Sequence, residues 1–149
     1  MRVLIDTNIF IQRENDHILQ SDLQKLLNVL NKLKIEILIH PKSITDIERD
    51  TNEIRKKIML SKIKTYSLLE SPPEPNDNIY FLNIVGFPLK PNDYVDNSIL
   101  YSVYKEALDF LISQDNGIHK KANRLSIRDR VLSIEDALKI FEKILQIKM

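Results

Sequence analysis

At 149 residues, with 43% hydrophobic and 29% charged residues, the chain has the size and composition of one globular domain rather than a disordered segment. Its net charge of +1 excludes a uniformly basic nucleic-acid binder, so any grip on phosphate must come from a local patch. The absence of cysteine excludes disulfides, iron–sulfur clusters and thiolate-bound zinc, and two glycines, Gly86 and Gly117, exclude a glycine-rich phosphate loop.

No apolar run approaches the roughly 20 residues of a membrane span, and the opening is strand-like rather than a charged leader, so a cytoplasmic protein is expected. That opening, Val3-Leu4-Ile5, reads as a buried strand that stops at Asp6-Thr7-Asn8. Gln12 to His17 reads as a loop. Leu19, Leu23, Leu26, Leu27, Leu30 and Leu33 then recur at helical spacing. Ile35 to Ile39, closed by Pro41, reads as a second strand. Ser43-Ile44-Thr45-Asp46 has the form of a capping box, predicting one long helix to about Leu69 with Ile44, Ile47, Ile54 and Ile58 on its buried face.

Residues 71–93 hold five of the six prolines and predict an irregular insertion inside a single domain spanning 1–149. From Asn97, the spacing of Ile99, Leu100, Val103 and Ala107 predicts a helix with Asp96 at its entrance. Phe110-Leu111-Ile112-Ser113 then reads as a strand ending at Asp115. A short helix over Ile118 to Leu125, a brief strand at Val131-Leu132 and a capping pattern at Ser133 to Asp136 precede a last helix. Its apolar stripe is Leu138, Phe141, Ile144 and Leu145, better suited to core than to a dimer contact. Alternating strands and helices predict a three-layer α/β/α sandwich with a mainly parallel sheet.

Asp6 and Asp115 each follow an apolar strand, which puts both at the carboxyl edge of the sheet, where such folds bind ligands. Asp96 and Asp46, in the first turns of helices, can face the same edge. Converging carboxylates repel unless a cation neutralises them, and an all-oxygen donor set favours Mg²⁺ or Mn²⁺ over zinc. The chemistry this implies is metal-dependent phosphodiester hydrolysis. Each acid also has a plainer reading: Asp46 and Asp96 as helix caps, and Asp115-Asn116-Gly117 as turn chemistry.

Val3-Leu4-Ile5-Asp6-Thr7-Asn8-Ile9-Phe10-Ile11, Asp96-Asn97-Ser98-Ile99-Leu100 and Leu111-Ile112-Ser113-Gln114-Asp115, in this order, resemble the PIN domain family of metal-dependent nucleases. The resemblance implies that Asp6, Asp96 and Asp115 hold the metal, with Thr7 or Asn8 orienting the first carboxylate or a water. Asn97 stands beside the third acid as a further candidate. The family's second acid falls at Asp46, preferred for its place in the first turn, or at Glu48. His119, Lys120 and Lys121 follow Asp115 closely enough to contact a phosphate, although a solvated helix face also explains the lysines. The expected substrate is RNA, single-stranded or structured. The insertion and the long second helix depart from the compact toxins of the family, so an antitoxin-type partner is not indicated, and a homodimer stays open.

Arg49, Arg55, Lys56, Lys57, Lys62 and Lys64 could hold backbone phosphates, and Tyr66, Tyr94 and Tyr101 could stack on bases, with exposed face and core packing as the plainer readings. Two other functions compete. One is a non-catalytic module binding RNA or protein on the same scaffold. The other is a phosphatase-type α/β domain, which needs an aspartate two residues after Asp6, where Asn8 stands.

Overall fold

A computed structural model describes residues 1–11 and 17–148, leaving most of the loop expected at Gln12 to His17 outside the described residues. Five strands form one parallel sheet in the order β3-β2-β1-β4-β5: β1 (Arg2–Ile5), β2 (Glu36–Ile39), β3 (Ser67–Leu68), β4 (Phe110–Ile112) and β5 (Val131–Leu132). In the pairing of β1 with β4, Leu4 faces Leu111 and Ile5 faces Ile112. The chain adds β2 and β3 on one side of β1 and β4 and β5 on the other. The order therefore reverses between β1 and β4, the place where open parallel sheets form a ligand crevice.

Side chains alternate across the sheet because a strand repeats every two residues. Val3, Ile5, Ile39, Ile112 and Leu132 pack with α2 (His17–Lys32) and α8 (Ile134–Lys148). Leu4, Leu38, Leu111 and Val131 face the opposite layer, made of α5 (Ile79–Val85), α6 (Pro91–Tyr104) and α7 (Asn116–Arg124). Val3, Leu4 and Ile5 are fully buried, and each contributes roughly 1.5–3 kcal/mol by leaving water. That burial makes β1 a rigid base for whatever follows it. On α8, Phe141 is fully buried and Leu138, Ile144 and Leu145 pack against the same core, as the stripe predicts. Among the described residues, no helix is long and apolar enough to cross a membrane.

The single long helix expected after the second strand is two helices, α3 (Pro41–Glu48) and α4 (Glu53–Ile63), following the four-residue α1 (Asn8–Ile11) in the order of the chain. His40, not Ser43, caps α3: its Nδ1 accepts from Lys42 N at 3.0 Å, and Pro41 occupies the first turn, where its missing N–H costs nothing. The break follows from Asp50-Thr51-Asn52. Asp50 accepts from Asn52 N, and Asn52 accepts from Arg55 N to start α4. The register shifts with it, so Met59 and Ile63 are buried while Ile54 and Ile58 are exposed.

The proline-rich segment is also less irregular than expected. Asn78 caps α5 by accepting from Phe81 N, and Phe81 is fully buried against the rings of Tyr101 and Tyr104. The next helix begins at Pro91 rather than at Asn97, with Asp93 accepting from Lys90 N. Asp96 therefore lies in the second turn of α6 and is no cap. Ser133 accepts from Asp136 N, as its capping pattern predicts.

Candidate metal centre

Asp6 extends the ladder by one residue, since its N–H donates to Ile112 O at 3.0 Å, and this fixes its carboxylate at the switch point. The residue is only 3% exposed. Ser113 Oγ donates to Asp6 Oδ2 at 2.8 Å, and Asn8 N donates to Oδ1 at 3.3 Å. The direction of the serine proton is set from behind, because Asp115 N donates to the same Oγ at 3.1 Å. His119 Nε2 lies 2.7 Å from Ser113 O. One serine thus joins the ends of β1 and β4 and the first turn of α7.

Burial pushes the Asp6 carboxyl above its usual range; the Ser113 hydroxyl and the Asn8 N–H pull it back in part, and the charge of Asp115 raises it further. Asp96 is pushed up to about 7, first by burial and then by the negative charges of Asp115 and Asp6, against the pull of Lys121 and with a smaller push from Asp93. Asp6, Asp96 and Asp115 come from three distant parts of the chain; the charge of Asp115 raises both of the others, and that of Asp6 raises Asp96. Such a set stores repulsion that a cation, or a proton, relieves.

Asp115 also performs the plainer role. It caps α7, with Oδ1 accepting from Gly117 N at 2.7 Å and Ile118 N at 3.2 Å. Gly117 leaves room for this fit, since a Cβ there would lie 3.0 Å from that oxygen, tighter than ordinary contact. Among the described residues, no hydrogen bond engages Asp115 Oδ2 or the Asp96 carboxylate. The donor chemistry suits a hard divalent ion: buried and half-buried carboxylates with no thiolate. The side chains are not gathered around one point, however. Among the described residues no three His, Asp or Glu side chains stand in an ion-holding group.

The other candidates occupy different ground. Asp46 pairs with Arg49 and lines a cavity of about 410 Å³ that also includes Asn8 and Asn92. Glu48 is exposed and lines none of that cavity. Thr7 is buried, 2% exposed, beside Asp6. The His119 ring nitrogen is taken up by the Ser113 carbonyl. Lys120 is exposed and, with His119 and Arg128, lines a cavity of about 540 Å³ beyond Asp115. Lys121 is the lysine that acts on Asp96 and Asp93, and its Nζ donates to Asn97 Oδ1 at 3.1 Å. Helical geometry could have singled it out, since it follows Ile118 by three residues and Asp115 by six. Ser113 had a weaker signal, a hydroxyl two residues before the second strand-end acid.

Much of the basic stretch is compensated. Arg49 pairs with Asp46, Arg55 makes a two-point contact with Asp50, and Lys56 lies 3.6 Å from Glu53. Tyr101 packs on Phe81 and accepts from Asn78, and Tyr66 stacks on Phe10, which leaves Tyr94 as the exposed ring of the three tyrosines.

The family model described as PIN domain matches residues 2–117, from β1 into the first turn of α7, a span that includes Asp6, Asp96 and Asp115. A search of curated proteins returned no match.

Proposed function

This chain belongs to the PIN domain family, generally a nuclease fold, and on that premise we propose that it is a Mg²⁺- or Mn²⁺-dependent ribonuclease. The observation that carries the proposal is a buried carboxylate, Asp6, held at the end of β1 beside β4, with the charge of Asp115 raising both Asp6 and Asp96. Asp6, Asp96 and Asp115 would hold the ion, which when bound supplies positive charge to a phosphodiester oxygen and lowers the pKa of a water.

The remaining work falls to side chains around these acids. Ser113 fixes the Asp6 carboxylate from one side and the Asn8 N–H from the other, so the oxygen facing the substrate keeps one orientation. Lys121, held by Asn97, offers a positive charge to a phosphate approaching Asp96. Asp46 is the fourth acid of the proposal; it shares its cavity with Asn8 and would leave Arg49 to act. Glu48 is the lesser choice. Asp115 keeps its cap through Oδ1 and has Oδ2 to spare.

The binding-module reading rests on its own observation, that Asp115 serves as a cap and that no ion-holding group is assembled among the described residues. One experiment separates the two. Mixed-sequence RNA and single-stranded DNA are incubated with Mn²⁺, Mg²⁺ or EDTA and the wild type, Asp6→Asn or Asp96→Asn. Metal-dependent cleavage of RNA that both substitutions abolish is the expected result. Cleavage that survives both defeats the proposal, and RNA retention without cleavage transfers the case to the binding module.

A further inference from the structure

A smaller cavity of about 270 Å³ lies between Lys42 on α3, residues of α6 and the proline-rich segment. Its upper walls are Pro75, Phe87, Pro88 and Tyr94, and its other lining side chains include Lys42, Asn97 and Ser98. The contrast between these parts is sharp. Phe87 is 57% and Tyr94 51% exposed, whereas Asn97 and Ser98 are buried. Two aromatic rings left in water at one cavity mouth forgo the burial that rings of this size ordinarily gain.

We propose that this cavity is a subsite for one unstacked nucleobase of a single-stranded RNA, clamped by Tyr94 and Phe87 and contacted at its polar edge by Asn97. The inference rests on the ribonuclease reading for the identity of the strand, and it adds where the base beside the reacting phosphate goes. The volume lies just below the range of about 300–1,000 Å³ that drug-sized ligands fill, which suits a single ring system. A base can enter only if it is unpaired and splayed out, the condition of single-stranded RNA.

The floor is built before any ligand arrives. Asn97 Nδ2 donates to Gly86 O at 3.1 Å, and Asn97 Oδ1 accepts from Lys121 Nζ at 3.1 Å, so both ends of the amide are assigned by their partners. An asparagine amide carries two N–H groups and two lone pairs, so one of each remains beyond these partners, the groups with which an asparagine reads a base edge. Gly86 presents its carbonyl from a φ of +101°, which a residue with a Cβ rarely adopts. Lys42 Nζ is held by Glu74 at 2.7 Å and Ser98 at 2.8 Å, and Ser98 donates to the same glutamate oxygen at 3.0 Å. Fixed side chains lose little freedom on binding.

Continuity with the acids gives the subsite its role. Asp96, Asn97 and Ser98 are consecutive on α6, and Lys121 touches Asn97 while acting on Asp96. Asn97 of the cavity and Asp96 are thus linked through one lysine, and under this proposal the phosphate of the bound nucleotide is directed toward Asp96.

The test measures binding without cleavage. A fluorescein-labelled decamer RNA is titrated in EDTA, by anisotropy, with the wild type, Tyr94→Ala, Phe87→Ala and Tyr94→Phe. Stacking of one base on an aromatic side chain predicts a dissociation constant raised about 5- to 100-fold in each alanine variant, and near wild type in Tyr94→Phe. The slope of log K against log salt stays unchanged, because phosphate contacts are untouched. Replacing the base nearest the cleavage point by an abasic ribose weakens the wild type by a similar factor and leaves Tyr94→Ala unaffected.

Alanine variants that bind RNA as the wild type does overturn the subsite, even if Asp6→Asn abolishes cleavage. A monomer–dimer change in Phe87→Ala, seen by light scattering without any change in RNA affinity, also overturns it by assigning the rings to a second copy. A base-dependent loss in a protein that never cleaves RNA upholds the subsite and defeats the nuclease reading instead.

Discussion

The carboxylates at the switch point and those of the α3–α4 corner belong to the same residue type and stand in opposite electrostatic situations. At the corner, Asp50 and Glu53 each have a cationic side chain beside them, and the Arg55 guanidinium with the Asn52 N–H holds Asp50 down at about 2. At the switch point, Asp6 has a hydroxyl and an N–H but, among the described residues, no cation, and Asp96 has three other acids and one lysine. Neutralised acids shape a turn; repelling acids mark a place where positive charge is wanted. Substitutions in the two regions should separate these roles.

The largest contrast is in catalysis. Asp6→Asn and Asp96→Asn should each reduce metal-dependent RNA cleavage by about 100-fold or more, whereas Asp50→Asn should leave the rate unchanged within about twofold. Single-turnover rates at saturating Mn²⁺ make the comparison, and a loss at Asp50 equal to that at Asp6 would erase the distinction between the regions. Ser113→Ala comes next. Loss of the hydroxyl that orients Asp6 should lower cleavage by about 10–100-fold, with RNA affinity unchanged. Asp46→Asn should fall near the lower end of that range, and Glu48→Gln should have no effect.

A smaller effect concerns stability and pH at the start of α3. His40 is fully buried, and burial lowers its pKa to about 4, with Lys42 adding to the fall and Glu74 opposing it. Its folded pKa lies below the unfolded value of about 6.5, so its contribution is present above pH 6.5 and is lost as pH falls toward 4. The loss amounts to roughly 3 kcal/mol at most. Asp96 works in the opposite sense, because its raised pKa removes stability as pH rises toward about 7. His40→Asn keeps a capping acceptor and removes the titration. Urea unfolding at pH 7 and pH 4.5 should therefore show a smaller acid loss in the variant, and an equal loss in both proteins would contradict the assignment.

Most of the sheet was legible in the sequence because β1, β2, β4 and β5 are apolar runs bounded by turn formers. β3 was not, since Ser67 and Leu68 are two exposed residues at an edge and carry no alternation. The break between α3 and α4 lay in Asp50-Thr51-Asn52, whose side chains compete for backbone N–H groups, a signal outweighed by the isoleucine spacing around it. Asp96 was recognisable as a site residue while its setting was not. A helix read from Asn97 passes over Pro91, whose fixed φ begins the helix six residues earlier.

The strand-end acids were legible for a physical reason, the abrupt change from apolar run to carboxylate. Ser113 was not, because its partner Asp6 is 107 residues away and only the pairing of β1 with β4 brings them together. Of the neighbouring lysines, the helical turn places Lys121 rather than Lys120 beside Asn97. Both glycines serve this region: one beneath the Asp115 cap, the other offering its carbonyl to Asn97.

The most direct test of the central claim is Mn²⁺ binding itself, measured by titration calorimetry at pH 7.5 on the wild type, Asp6→Asn, Asp96→Asn and Asp50→Asn. Saturable binding in the wild type and Asp50→Asn, lost in Asp6→Asn and Asp96→Asn, is the predicted result. No Mn²⁺ uptake by the wild type, or equal uptake by Asp6→Asn, would contradict it.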